Sequence, residues 1–351
     1  MTWNVFCWKH RCVTSSKLHE AHIEKHSPTC YAPLFMAKYC CPVCMAEEST
    51  VFTQVADVEY CTSERLYEYR TCSACKSIYL LDPPADQLSL IYPPNYYSFE
   101  GQHHHSWIER VKSTLERRLF RQILRNIPDA SLRILDVGGG SGWLLGEVRT
   151  CDSRVTETHI VDIDPHAQRL AEQAGHHYHC SRIEDFESEK QFHFILLLNL
   201  LEHVADPLTL LRALSTLLAP NGLILIKTPN VQTVDARIFR TRYWGGLHAP
   251  RHFVLFTQQS LLRAAQDNGL TCERFWYTQG APQWACSVLG SLALQGWITV
   301  SPEKPMYQHP LYTPLLAVFA SFDFLRRPWF PTTQMMAVFR RSDIRSVSPG
   351  E

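Results

Sequence analysis

The sequence has no excess of charge of either sign. Its 34 lysines and arginines balance 34 aspartates and glutamates, so no overall field draws the chain toward nucleic acid or a membrane surface. It also lacks an apolar run long enough to span a bilayer. The nearest, from Ala285 to Val300, is broken by Gly290, Gln295 and Gly296. The opening residues, with Trp3, Cys7, Trp8, Lys9, His10 and Arg11, lack the apolar core of a signal peptide, so the cytosol is the expected compartment. There, 13 cysteines argue for thiols and metal sites rather than disulfides. The remainder is ordinary: 351 residues, 45% hydrophobic and 19% charged, enough for one large core and a smaller module.

The chain is organised around residues 132–145. A short apolar run suited to a buried strand ends in Asp136-x-Gly138-x-Gly140-x-Gly142, and a helix-compatible segment starts at Trp143. Strand, glycine turn and helix bring backbone N–H groups close to a ligand. The dinucleotide fingerprint G-x-G-x-x-G does not fit, because counting from Gly138 puts Trp143 at the third glycine position. Three further apolar strands with polar exits follow: 159–165, 192–198 and 222–230. Asp162 lies 20 residues after Gly142, about where an acid binds ribose hydroxyls in doubly wound folds.

The spacing of the glycine turn, and the order of these four strands, resemble class I S-adenosylmethionine (SAM) methyltransferases over about residues 131–280. The resemblance implies a Rossmann-like α/β sheet, mostly parallel with one antiparallel strand. It implies SAM bound by Asp136, Gly138, Gly140, Gly142, Asp162 and Asn199, with Ile183 and Glu184 beside the adenine. The methyltransferase domain is expected over 131–342, with an insertion at 279–332 able to cap the site or form an oligomer face, and a polar tail at 343–351.

Cys41-Pro-Val-Cys44 and Cys72-Ser-Ala-Cys75 are two C-x-x-C knuckles with 27 residues between them. The pair resembles a zinc ribbon, read here as a module over 37–81 with Cys41, Cys44, Cys72 and Cys75 as ligands of a structural Zn²⁺. Cys40 and Cys61 are spare thiols, and Cys40 could replace Cys41. Residues 1–36 read as an irregular extension; His22, His26 and Cys30 form no clear pattern, and Met36 is a candidate natural start. Residues 82–130 read as a linker and a basic helix. Tyr92, Tyr96 and Tyr97 are expected to pack there or to close over the SAM site. His103, His104 and His105 are taken as solvated. The helix from Trp107 to Ile127 carries Arg110, Lys112, Arg117, Arg118, Arg121 and Arg125, either a solvated face or an RNA surface.

Methyl transfer is an in-line displacement at a sulfonium, in which the enzyme positions the acceptor and removes its proton. His203 and His252 are the candidate bases, since histidine titrates near neutrality. Glu202 could orient one of them or bind a metal. Arg251 could hold an acidic group of the substrate. Both histidines are expected to open onto one pocket. The expected activity is methyl transfer to a small molecule, such as a sugar, lipid or quinone-like hydroxyl. An RNA methyltransferase and a non-catalytic SAM-fold binding protein are the alternatives. Acceptor identity and oligomeric state are not legible.

Overall fold

The computed structural model describes residues 40–96 and 107–342, with side chains of the helix that begins at Trp107 described from residue 113. The extension with His22, His26, Cys30 and Met36, the triple histidine, Tyr97 and the polar tail lie outside the described residues. The described residues fall within one compact unit.

In chain order the elements begin with β1 (Ser49–Val55), β2 (Tyr67–Cys72), β3 (Ile78–Leu80), α1 (Leu88–Ile91) and α2 (Trp107–Leu124). The alternating part comprises β4 (Leu132–Val137), α3 (Trp143–Cys151), β5 (Val155–Asp162), α4 (Pro165–Gln173), β6 (His177–Cys180), β7 (Phe192–Leu198), α5 (Pro207–Leu217) and β8 (Leu218–Pro229). Then come α6 (Val234–Ile238), β9 (Val254–Leu255), α7 (Gln258–Asp267), β10 (Leu270–Thr278), α8 (Ala281–Leu294), α9 (Tyr312–Arg326) and β11 (Gln334–Arg341).

Seven strands form one sheet in the order β10-β11-β8-β7-β4-β5-β6. All neighbours are parallel except β11, which runs antiparallel to both β10 and β8. The expected class I sheet with one antiparallel strand is therefore present. Its central strands are apolar on both faces, as burial between layers demands. Ile134, Phe194 and Leu225 pack with α2, α3 and α4 on one face. Leu135, Ile195 and Ile226 pack with α5 and α7 on the other. Helix starts follow local chemistry: Asp164 and Asp206 cap helices that open with Pro165 and Pro207, and Thr257 with Ser260 closes a capping box on α7. Strand β6 ends at Cys180, and Ile183–Asp185 is a 3₁₀ turn. On the basic helix, Arg117 forks onto Glu147 of α3, so that cation is held within the fold. No helix among the described residues is long and apolar enough to cross a membrane.

The second sheet has the order β1-β2-β3-β9. Its last strand comes from far along the chain: Ile78 pairs with Leu255, and Tyr79 with Val254. The Tyr69 hydroxyl donates to the His252 carbonyl at 3.1 Å. The strongest tie is a buried ion pair. Arg251 Nη1 and Nη2 donate to Asp57 Oδ1 and Oδ2 at 3.2 and 2.7 Å, and both side chains are 0% exposed.

Removing one partner of such a pair strands a buried charge, whereas replacing both leaves none. Asp57→Ala should therefore lower unfolding stability by about 3–5 kcal/mol in urea titrations. Asp57→Leu combined with Arg251→Met should recover most of that loss.

Candidate active site

The glycine turn lies at the C-terminal end of β4, where strand order reverses between β4 and β7. Ligands of open α/β sheets bind outside such a point. Gly138, Gly140 and Gly142 all have positive φ (76°, 51° and 79°). A Cβ on Gly142 would also lie 2.5 Å from the His176 ring and 2.8 Å from Ile160, so glycine is required there. The Gly140 N–H donates to Asp162 Oδ2 at 2.8 Å, and the Asp164 N–H to Asp162 Oδ1 at 3.0 Å. These donors aim the Asp162 carboxylate across the turn. Burial raises its pKa while these backbone donors oppose the rise.

Asp136 is 2% exposed, and its Oδ2 has no hydrogen-bond partner among the described residues. Burial, and secondarily the Asp162 charge, push its carboxyl up to about 7. An orphaned acceptor beside the turn suits a cationic ligand group such as an ammonium. Ile183 is buried beside β6, while Glu184 is exposed and lies 3.7 Å from Arg182. Asn199 has a positive φ of 55° and donates its amide to Glu202 Oε1 at 3.0 Å and Gln334 Oε1 at 3.2 Å. Any bond from its side chain to a ligand would therefore use the amide oxygen.

The side chains of Glu202, His203 and His252 come together. The two imidazole centroids are 4.7 Å apart. Ligand atoms of the three side chains lie within 4.8 Å of one another, close enough to share a divalent cation. Each ring is fixed by backbone: His203 Nδ1 faces the Arg251 carbonyl at 3.0 Å, and His252 Nδ1 the Gly246 carbonyl at 2.8 Å. A carbonyl only accepts, so both Nδ1 atoms carry the proton and both Nε2 atoms are basic.

Burial reverses the expected order of basicity here. It lowers His203 to about 3, helped by His248 and opposed by the hydrogen bond to the Arg251 carbonyl, and lowers His252 as well. It raises Glu202 to about 7 against the donors Asn199 and Thr228, the latter at 2.9 Å. Low polarity penalises whichever form is charged, so the acid becomes the stronger base. The expectation that a histidine would be the near-neutral base is corrected accordingly. Arg251 is corrected too: enclosed and committed to Asp57, it is not available as a substrate clamp.

Several residues were not foreseen. Asp57 holds Arg251. Glu59 accepts from His248 Nδ1 at 2.7 Å and from the Tyr243 hydroxyl at 2.7 Å. Tyr96 and His248 Nε2 are 3.1 Å apart, and Tyr92 lies 2.9 Å from His203 Nδ1. Tyr92 and Tyr96 thus close over the histidine cluster. No local spacing links these pairs, although two acids flanking an apolar residue at 57–59 were a visible oddity.

The four cysteines form the other cluster. Cys41 and Cys75 Sγ are 3.6 Å apart, and Cys44 and Cys72 Sγ 3.5 Å. Residues Met45 and Lys76, which follow the two knuckles, both have positive φ. Cys40 is outside this group.

A family model described as a methyltransferase domain matches residues 111–274. Residues 111–274 are a methyltransferase domain of the class I fold. A ubiquinone biosynthesis O-methyltransferase of Bradyrhizobium diazoefficiens is 28% identical over 28% of this chain and 40% of its own length. One from Ruegeria pomeroyi is 36% identical over 29% and 43%. The match thus spans about two fifths of those relatives. A crystal structure of a putative sarcosine dimethylglycine methyltransferase from Galdieria sulphuraria aligns with a TM-score of 0.48 at 17% identity, over 67% of this chain and 88% of that one.

Asp136 in the methyltransferase domain binds a proton more readily folded than unfolded. Stability should therefore fall as pH rises from about 4 to about 7, by about 1.4 kcal/mol per pKa unit at most. Asp136→Asn should flatten that slope in thermal melts across pH and raise the melting temperature at pH above 7.

Proposed function

We propose that this chain transfers the methyl group of SAM to a small molecule, with a quinone-like hydroxyl as the acceptor class. The observation that carries this reading is the Asp162 carboxylate, aimed by the Gly140 N–H over a glycine turn at the switch point. A carboxylate there accepts from two neighbouring hydroxyls of a ribose, and the orphaned Asp136 oxygen fits an ammonium group. The names of the O-methyltransferase relatives support the acceptor class.

Bound SAM would supply an electrophilic methyl carbon on a sulfonium. The chain's own residues would handle the acceptor proton. His203, partly exposed and flanked by Tyr92, meets the acceptor hydroxyl through Nε2. Glu202 is the terminal proton acceptor, because its burial makes it more basic than either imidazole. We further propose that Cys41, Cys44, Cys72 and Cys75 hold structural zinc in a 37–81 module that accompanies the 131–342 domain. Tetrahedral thiolates at about 2.3 Å from zinc stand about 3.8 Å apart, close to the observed spacings, while a disulfide needs about 2.05 Å.

Calorimetry with S-adenosylhomocysteine (SAH) should detect binding to the wild type and a loss of about five- to a hundredfold in Asp162→Ala. Equal affinities would remove the ribose role. Against a panel of catechols and hydroquinones, Glu202→Gln should lower turnover by about 10²–10⁴-fold with SAH affinity unchanged. Elemental analysis should find one zinc per chain, and Cys72→Ser should lose it.

A further inference from the structure

Helix α9 buries charge and leaves much of its apolar surface exposed. Its two buried residues are Asp323 and Arg326, an ion pair at 2.9 Å. Asp323 Oδ2 also accepts from the Gly280 N–H and the Thr333 hydroxyl at 2.9 and 3.1 Å. The helix docks on the protein through this charge pair and through Tyr312, Leu315 and Phe319, the last stacked on Trp284 at 4.8 Å between ring centroids. Other apolar side chains face outward: Val318, Phe324 and Leu325 are all exposed, the last by 69%. Trp329 and Phe330 extend the face just beyond the helix, and Trp297 stands 74% exposed past the end of α8. Isolated exposed apolar residues are commonplace, but a concentration of this kind marks an interaction surface.

We infer that this face seats in the plane of an anionic lipid bilayer. Between Pro305 and Thr332 the one exposed charge is a cation, Arg327, whose guanidinium lies 4.5 Å over the Phe324 ring. A cation rooted on an aromatic at the margin of an apolar face can leave its head among lipid phosphates while its stem stays buried. Tryptophan favours the same boundary, apolar in body with one polar N–H. The 15-residue helix is about 22 Å long, shorter than the hydrocarbon core, so it lies along the surface. A second copy suits the face less well. Self-association across a two-fold axis would bring two Arg327 residues to one apolar contact with no exposed acid on the segment to pair them.

The test uses the full chain and vesicles of phosphatidylcholine with or without phosphatidylglycerol. Co-sedimentation with the anionic vesicles is expected. Val318→Ser with Leu325→Ser should weaken it by about tenfold or more, and Arg327→Glu should weaken it on anionic vesicles alone. These positions are exposed, so melting temperature and SAH affinity should not move, which keeps this inference separable from methyl transfer. Absence of sedimentation with either vesicle overturns it. So does a lipid-free dimer that the double variant dissociates, which would make the face a subunit contact. Equal binding to both vesicles overturns the anionic preference.

Discussion

The structure depends on one buried ion pair, Asp57–Arg251. Burial alone would raise the Asp57 carboxyl, and the Arg251 guanidinium overrides it, so the acid is held below its ordinary value. The Arg251 ring partner is Tyr60, 4.4 Å below the guanidinium. Such a pair adds little net stability, because desolvation offsets attraction. Its effect is on register. It fixes the 243–253 loop against the four-stranded sheet, and that loop supplies the carbonyls that set both imidazoles. The Phe253 N–H donates to the Glu202 carbonyl, so the same loop also reaches the end of β7.

Four buried acids show how one environment gives different chemistry. Asp57 and Glu59 face cations or donors and stay ionised. Asp136 gains nothing from a cation and Glu202 only a minor opposing pull from Lys227, so burial carries both toward neutrality. The difference lies in partners, since all four are almost wholly enclosed. Acids kept near their titration point belong where a ligand or a proton is to arrive. Acids kept charged belong to the framework.

What was legible in the chain was local. The glycine turn, Asp162 and the two cysteine knuckles are each written within a few residues or at a diagnostic spacing, and the strands between them are long apolar runs. The convergence of Glu202, His203 and His252 followed from neighbouring strand ends. What was hidden was long-range pairing. Asp57 meets Arg251 across 194 residues, and Glu59 meets His248 across 189. An arginine among histidines looks like a ligand group until its acid is found, which is why Arg251 was misread. Strand β9 has two residues, too few for any periodicity.

The 279–332 segment was hardest to read because periodicity assumes that apolar faces turn inward. Helix α8 obeys that rule, whereas α9 turns only Tyr312, Leu315 and Phe319 inward and leaves Val318, Phe324 and Leu325 exposed. Contact between α8 and the loop is close. A Cβ on Gly245 would lie 2.4 Å from the Gln283 carbonyl oxygen, and one on Gly290 would lie 2.2 Å from the Tyr243 ring. Both positions are therefore confined to glycine by packing rather than by φ. Tyr243 in turn donates to Glu59, which holds His248. The chain of contacts runs from α8 through Tyr243 and Glu59 to the histidine cluster, with α9 outermost. The segment thus braces the 243–253 loop through α8, while its outward apolar face is carried on α9, a layer further from the histidines.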